Sequence, residues 1–233
     1  MPVMKYLTCL VLLSAILFSC SNNDKEQHAE TDEVIIDSSG IKTGTELPEN
    51  TITLLNNTEV YRTSTAATPF DWNHFKLTKF WTEDTLLSTP FEPAGDYYKN
   101  YGSFLVYSPD SNRFIDLDSY NLHIRNSGNG KLVGQAQGPD TEISLVDKKK
   151  NVKTRLLFFG PGNSVEDAKW IDNENLLLIG TIEGGEESKL NAAIFKYNIP
   201  SRTFQVFETG DAEIIKHLKG YSKRERLKSV TIQ

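Results

Sequence analysis

From Ser103 to Phe207 the chain is a succession of short apolar runs joined by turn chemistry, and none of it keeps a long helical period. Ser103–Tyr107 meets Phe114–Leu117 across Pro109-Asp110-Ser111-Asn112. Proline presets the turn torsion, and aspartate and asparagine bond back to the local backbone. Glu142–Val146 meets Arg155–Phe158 across a lysine-rich turn ending at Asn151. Ala168–Ile171 meets Leu176–Ile179 across Asp172-Asn173-Glu174-Asn175, and Ala192–Tyr197 meets Thr203–Phe207 across Ile199-Pro200-Ser201. Such runs, paired through turns, read as antiparallel hairpins. One helix is expected afterwards: Thr209 or Asp211 caps it, Ile214, Ile215 and Leu218 form its apolar stripe, and Gly220 stops it.

The hairpins repeat in order. One unit runs from Ser103 to Phe159 and the next from Ala168 to Phe207, each with a hairpin, a Gly-rich insertion and a second hairpin. Tyr107-Ser108-Pro109-Asp110-Ser111-Asn112-Arg113-Phe114 and Trp170-Ile171-Asp172-Asn173-Glu174-Asn175-Leu176 resemble the inner hairpin of a β-propeller blade. Rings of that kind need about four to eight blades. The resemblance therefore implies an all-β fold of antiparallel four-stranded, propeller-blade-like sheets packed together without a full ring, plus a short C-terminal helix. A β-sandwich is the alternative. Strands near Thr51–Arg62 and Phe75–Trp81 are expected to complete the sheets.

The first nineteen residues read as an export signal. Lys5 supplies the positive charge, and an apolar stretch from Leu7 to Phe18 follows. A bilayer-crossing helix needs about 20 apolar residues, so the stretch suits a signal peptide instead. Leu17-Phe18-Ser19-Cys20 resembles the lipobox of bacterial lipoproteins, although Phe18 is bulkier than the usual occupant. That resemblance implies cleavage before Cys20, diacylglycerol on its sulfur and acyl chains in a membrane. Ser21 after the cysteine favours the outer membrane, and the polar run Ser21–Glu26 resembles the surface-export signal of Bacteroidetes-type lipoproteins. The periplasmic and surface faces both stay open. Residues 20–49 are then the lipidated cysteine and a disordered tether, with a mean reach of ~30 Å. Residues 50–233 form a single mostly β domain.

The chain has two cysteines, Cys9 in the signal and Cys20 at the lipid site. A mature domain without cysteine has no disulfide, catalytic thiol or thiolate metal site. Of the 25 Lys and Arg residues only Lys5 precedes Cys20, and all 31 acids follow it. An acidic body argues against nucleic acid as a partner. The tail from Asp211 is basic, with six cations against three acids, and reads as a solvated end.

Eleven of the chain's aromatic residues fall between Phe70 and Tyr107. Rings of this kind build an all-β core, and they also stack on sugar faces. Asp96-Tyr97-Tyr98-Lys99-Asn100-Tyr101 reads as an exposed loop. Tyr97, Tyr98 and Tyr101, with Trp72 and Trp81 as neighbours, form the candidate ligand surface. Asp116 and Asp118 share one face of an expected strand, where solvation is the simple reading and binding of a hard cation or acid–base work the alternatives. His28, His74, His123 and His217 lack metal-ligand spacing, and His123 is expected to face water. No serine-hydrolase elbow or phosphate loop is present. Neither a catalytic set, a metal site nor a cofactor is expected. The reading is an envelope lipoprotein acting as a non-enzymatic binding or accessory module for a glycan or protein. The alternatives are a polysaccharide-acting enzyme and an immunity-type inhibitor of a toxin or hydrolase.

Overall fold

A computed structural model describes residues 43–63, 70–128, 130–184, 189–221 and 227–233. The export signal, Cys20 and most of the tether lie outside the described residues. The first described elements are helices α1 (Glu49–Leu55) and α2 (Glu59–Arg62), then a 3-10 turn at Trp72–His74. Strands β1 (Lys76–Thr82) and β2 (Ser88–Pro90) and helix α3 (Tyr97–Tyr101) follow. The β region comprises β3 (Val106–Tyr107), β4 (Arg113–Asp116), β5 (Leu122–Asn126), β6 (Leu132–Ala136), β7 (Thr141–Asp147) and β8 (Val152–Phe159). It continues with β9 (Ser164–Trp170), β10 (Asn175–Glu183), β11 (Leu190–Asn198) and β12 (Thr203–Thr209). Helix α4 (Ala212–Tyr221) and strand β13 (Val230–Ile232) complete it. None of the described helices is long and apolar enough to cross a membrane.

Two five-stranded sheets carry the fold, in the orders β1-β12-β11-β10-β9 and β2-β8-β7-β4-β3. All their pairings are antiparallel. Each sheet holds two of the expected hairpins in chain order, β9–β12 as a continuous meander and β3–β4 with β7–β8 joined through β5 and β6, and each is extended at its last strand by a strand from earlier in the chain. The two sheets bury one core between them. Ile115, Ile143, Leu145 and Leu156 meet Leu176, Leu178, Ala193, Phe195, Phe204 and Val206 there. The fold is thus all-β and sandwich-like, with no closed ring. The sheets do not form propeller blades, because β1 and β2 add a fifth strand to each and the packed pair leaves no ring to build.

Both sheets are also covered on their outer faces. Leu177 and Ile179 alternate with Leu176 and Leu178, so period two sends them to the opposite side of β10. There they pack with Ile194 and Phe207 under Leu55, Val60, Trp72, Ile214 and Leu218. Double-sided burial explains why β10 reads as an unbroken apolar run, as strands covered on both faces do. On the other sheet, Phe114 and Val146 pack under Tyr97, Tyr101, Leu122, Ile124 and Val230. Strands β5, β6 and β13 form a small third sheet, in which β13 pairs parallel to β6. Each large aliphatic side chain buried in these layers contributes roughly 1.5–3 kcal/mol.

Several expectations are corrected here. Thr51–Arg62 is helical, although its Thr and Ile content favours strands. Thr58 caps α2 by accepting from the Tyr61 N–H at 3.3 Å, and Leu55 and Val60 are sealed against the sheet below. The ordered domain starts before residue 50: the Gly44 N–H donates to the Leu77 carbonyl at 2.7 Å, and Leu47 is buried. Helix α4 is capped by Asp211, which accepts from the Glu213 and Ile214 N–H groups at 2.9 and 3.2 Å. It runs through Gly220 to Tyr221 rather than stopping at the glycine.

The turns behave as their residues demand. Asp110 accepts from the Asn112 N–H at 3.0 Å and from the Ser108 hydroxyl at 2.7 Å, and these bonds hold its carboxyl at about 2. Ser111, Asn151 and Arg202 occupy left-handed conformations in three of the hairpin turns. Gly180 sits where β9 bulges against β10, so close to the Ser164 carbonyl that a Cβ would lie 1.9 Å from its oxygen.

Candidate functional site

The outer face of the β2-β8-β7-β4-β3 sheet carries a row of polar side chains in an otherwise apolar layer. Asp116 on β4 stands opposite Ser144 on β7. Glu142, two residues before Ser144, shares its face and meets Lys153 and Arg155 of the neighbouring β8. Helix α3 and the small sheet close over this row and leave a cleft of about 370 Å³. Its walls include Phe91, Glu92, Asp96, Tyr97, His123 and Lys153.

Asp116 and Asp118 are not the solvated strand face that alternation suggests: they are 4% and 5% exposed. The strand ends at Asp116, and the chain turns over its carboxylate. The Asp118 and Ser119 N–H groups donate to Oδ1 at 3.1 and 2.9 Å. The Tyr97 hydroxyl donates to Oδ2 at 2.6 Å, and the Ser119 hydroxyl donates to the same oxygen. Four donors on one carboxylate compensate its burial. Burial, followed by the adjacent Asp116 charge, pushes the Tyr97 hydroxyl far above the usual phenol range.

Glu142 is equally well held. It accepts from Ser144 Oγ at 2.8 Å and from Arg155 Nε at 2.7 Å, and Lys153 Nζ lies 3.0 Å from its Oε1. Burial raises its proton affinity, but the bonds from Lys153, Ser144 and Arg155 outweigh that, and the carboxyl sits below its ordinary value. Arg155 in turn lies over the Phe158 ring, 4.7 Å from its centroid. Both carboxylates are pinned: Asp116 lines the cleft itself, and Glu142 holds Lys153, which lines it too.

The structure separates the aromatic candidates. Tyr97-Tyr98-Lys99-Asn100-Tyr101 is a short helix rather than an exposed loop. Tyr97 and Tyr101 face inward; the Tyr101 hydroxyl donates to the Leu122 carbonyl and accepts from the Ile124 N–H, both at 2.9 Å. Tyr98 is 46% exposed and rests edge-on against Phe91 and Tyr97. Trp72 and Trp81 are not its neighbours. Trp72 is sealed beneath α1 and α2 and donates to Asn56 Oδ1 at 2.9 Å. Trp81 packs on the sandwich core, stacked on Phe204. His123 is exposed at the cleft, whereas His217 bonds the Val60 carbonyl at 2.8 Å and His74 bonds Asp211 at 2.8 Å.

Asp96 and Asn100, in the stretch singled out from the sequence, line the cleft, whereas sequence reasoning missed Glu92 and Lys153. One signal was available: Glu142 and Arg155 carry opposite charges on the two strands of one hairpin, where they meet across the ladder. Among the described residues no cluster of three or more His, Cys, Asp or Glu side chains is placed to hold a metal. No protein family, curated protein or solved structure matches the chain.

Proposed function

We propose that this chain is a membrane-tethered binding module of the bacterial cell envelope, and that its ligand surface is the cleft between α3 and the small third sheet. The lipobox-like Leu17–Cys20 supports the tether. The observation that carries the binding reading is the cleft itself. Its floor carboxylate Asp116 is occupied by protein donors, while Glu92 and His123 line it without a side-chain hydrogen bond to a described residue, and Tyr98 offers an exposed ring beside it. Small convergent polar groups beside aromatic surface suit a neutral, hydroxyl-rich ligand such as a glycan.

The test is a glycan-binding screen with the full-length protein in detergent, followed by affinity measurement for Tyr98→Ala and for His123→Ala with Glu92→Ala. These changes leave the buried Tyr97–Asp116 bond in place. Saturable glycan binding that weakens in both variants supports the proposal. Binding unaffected in both overturns the site. Glycan turnover would favour the enzyme reading, and a single stoichiometric protein partner on co-purification would favour the immunity-type one.

A further inference from the structure

A second cleft, of about 280 Å³, lies at the turn end of the sandwich, where β4, the β7–β8 turn and the β11–β12 turn converge. Its walls include Arg113, Lys150 and Arg202, against a single carboxylate, Asp147. That carboxylate is already engaged: Arg113 Nε donates to it at 3.3 Å, and the Lys149 and Lys150 N–H groups donate at 3.1 and 3.0 Å. The remaining arginine bonds go to neutral acceptors. Arg113 Nη1 donates to the Asn173 carbonyl at 3.0 Å and Arg202 Nη1 to the Asp84 carbonyl at 2.9 Å. Lys150 Nζ makes no ion pair with a described residue. The cleft is therefore cationic, in a chain whose net charge is -6.

Tyr197 makes a second, independent point. It is 1% exposed and lines this cleft, yet its hydroxyl makes no hydrogen bond to a described residue. No unpartnered side-chain oxygen or nitrogen is sealed in the described core, so what access this hydroxyl has is to the cleft. The hydroxyl is thus not sealed, and it can donate to a group seated in the cleft. Arg202 is also set in an unusual backbone. Its φ is 56°, a left-handed value that favours glycine or asparagine, so the turn itself gives no reason for arginine.

We propose that this cleft binds a small oxyanion, a carboxylate or phosphate group, between Arg113, Lys150 and Arg202, with the Tyr197 hydroxyl as a further donor. Guanidinium groups match the planar fork of a carboxylate and the edge of a phosphate equally well. The group bridges cations from both sheets, so its binding also draws the two turn ends together.

The experiment is calorimetric titration of the full-length protein in detergent with sodium phosphate and, separately, sodium malonate, against sodium chloride at matched ionic strength. Saturable binding of phosphate alone assigns a phosphate group; binding of malonate, alone or with phosphate, assigns a carboxylate-tolerant site. Arg202→Gly is the discriminating variant, because glycine suits the left-handed turn and the fold is kept. It should weaken binding about tenfold or more, as should Lys150→Met, and Tyr197→Phe should weaken it severalfold. No saturable binding of either anion overturns the proposal. So does unchanged affinity in both Arg202→Gly and Lys150→Met.

Discussion

Removing one oxygen from Tyr97 tests whether Asp116 is a structural anchor. Tyr97→Phe keeps the ring against Phe91 and Tyr101 and deletes only the 2.6 Å bond to Asp116. A hydrogen bond to a charged, buried acceptor contributes about 1.5–3 kcal/mol. Asp116→Ala goes further, stranding the Tyr97 hydroxyl and the Asp118 and Ser119 N–H groups. Each stranded buried donor costs roughly 1–3 kcal/mol, so a loss of about 3–5 kcal/mol is expected after partial relaxation. For a domain of this size 1 kcal/mol moves the melting temperature by about 2–4 °C. Tyr97→Phe should therefore melt about 3–12 °C lower, and Asp116→Ala should fall further. The double variant should lose less than the sum, with a coupling of about 1.5–3 kcal/mol in urea unfolding. Tyr98→Phe serves as the control and should melt like the parent. Additive losses would refute the claim that this bond anchors α3 to the sheet.

Gly180→Ala should destabilise by about 1–3 kcal/mol or prevent folding, since its Cβ would strike the Ser164 carbonyl oxygen; thermal melting reads the result. Acid should unfold the protein partly through Glu142 and Glu208, whose carboxyls are held below their ordinary value of 4.5. A lowered folded-state value gives stability that is present above about 4.5 and lost as pH falls through the lower folded value, so Glu142→Gln should flatten the acid limb of a stability–pH curve. The alkaline limb runs the other way. Burial raises Tyr97, Tyr101 and Tyr197 above 10.0, so stability should decline once pH climbs past that value, and Tyr97→Phe should soften the decline.

The hairpins were legible because their chemistry is local. Pro109-Asp110 and Asp172 to Asn175 announce turns whose bonds close within a few residues. The terminal helix was legible for the same reason, through Asp211. What escaped depends on distant partners. Thr51 and Ile52 favour strands by themselves, but Leu55 and Val60 find a sheet face to cover only after β10 and β11 exist. Tyr97 reads as an exposed aromatic until Asp116 is placed opposite it. Alternation sent Asp116 outward correctly, but the outer face is itself roofed over. The strand partners of β1 and β2 could not be read, because edge pairing follows from how the meanders stack.

The placement of β1 has a consequence for the order of assembly. Lys76 to Thr82 leaves the ribosome early, yet its ladder is with Thr203 to Glu208, near the other end of the described chain. Strand β2 likewise waits for Val152 to Thr154. The β9–β12 meander forms from neighbours in sequence and the other sheet from two hairpins, while each fifth strand closes a long loop. Such closures are slow, because the entropy cost of the loop precedes the contacts that offset it. Until β1 docks, β12 presents an unpaired edge, and the apolar layer of Leu177, Ile179 and Ile194 lacks part of its cover. A nascent chain is thus most prone to pair with a neighbour in that interval. The N-terminal segment that delivers β1 is then the clasp that ends the interval.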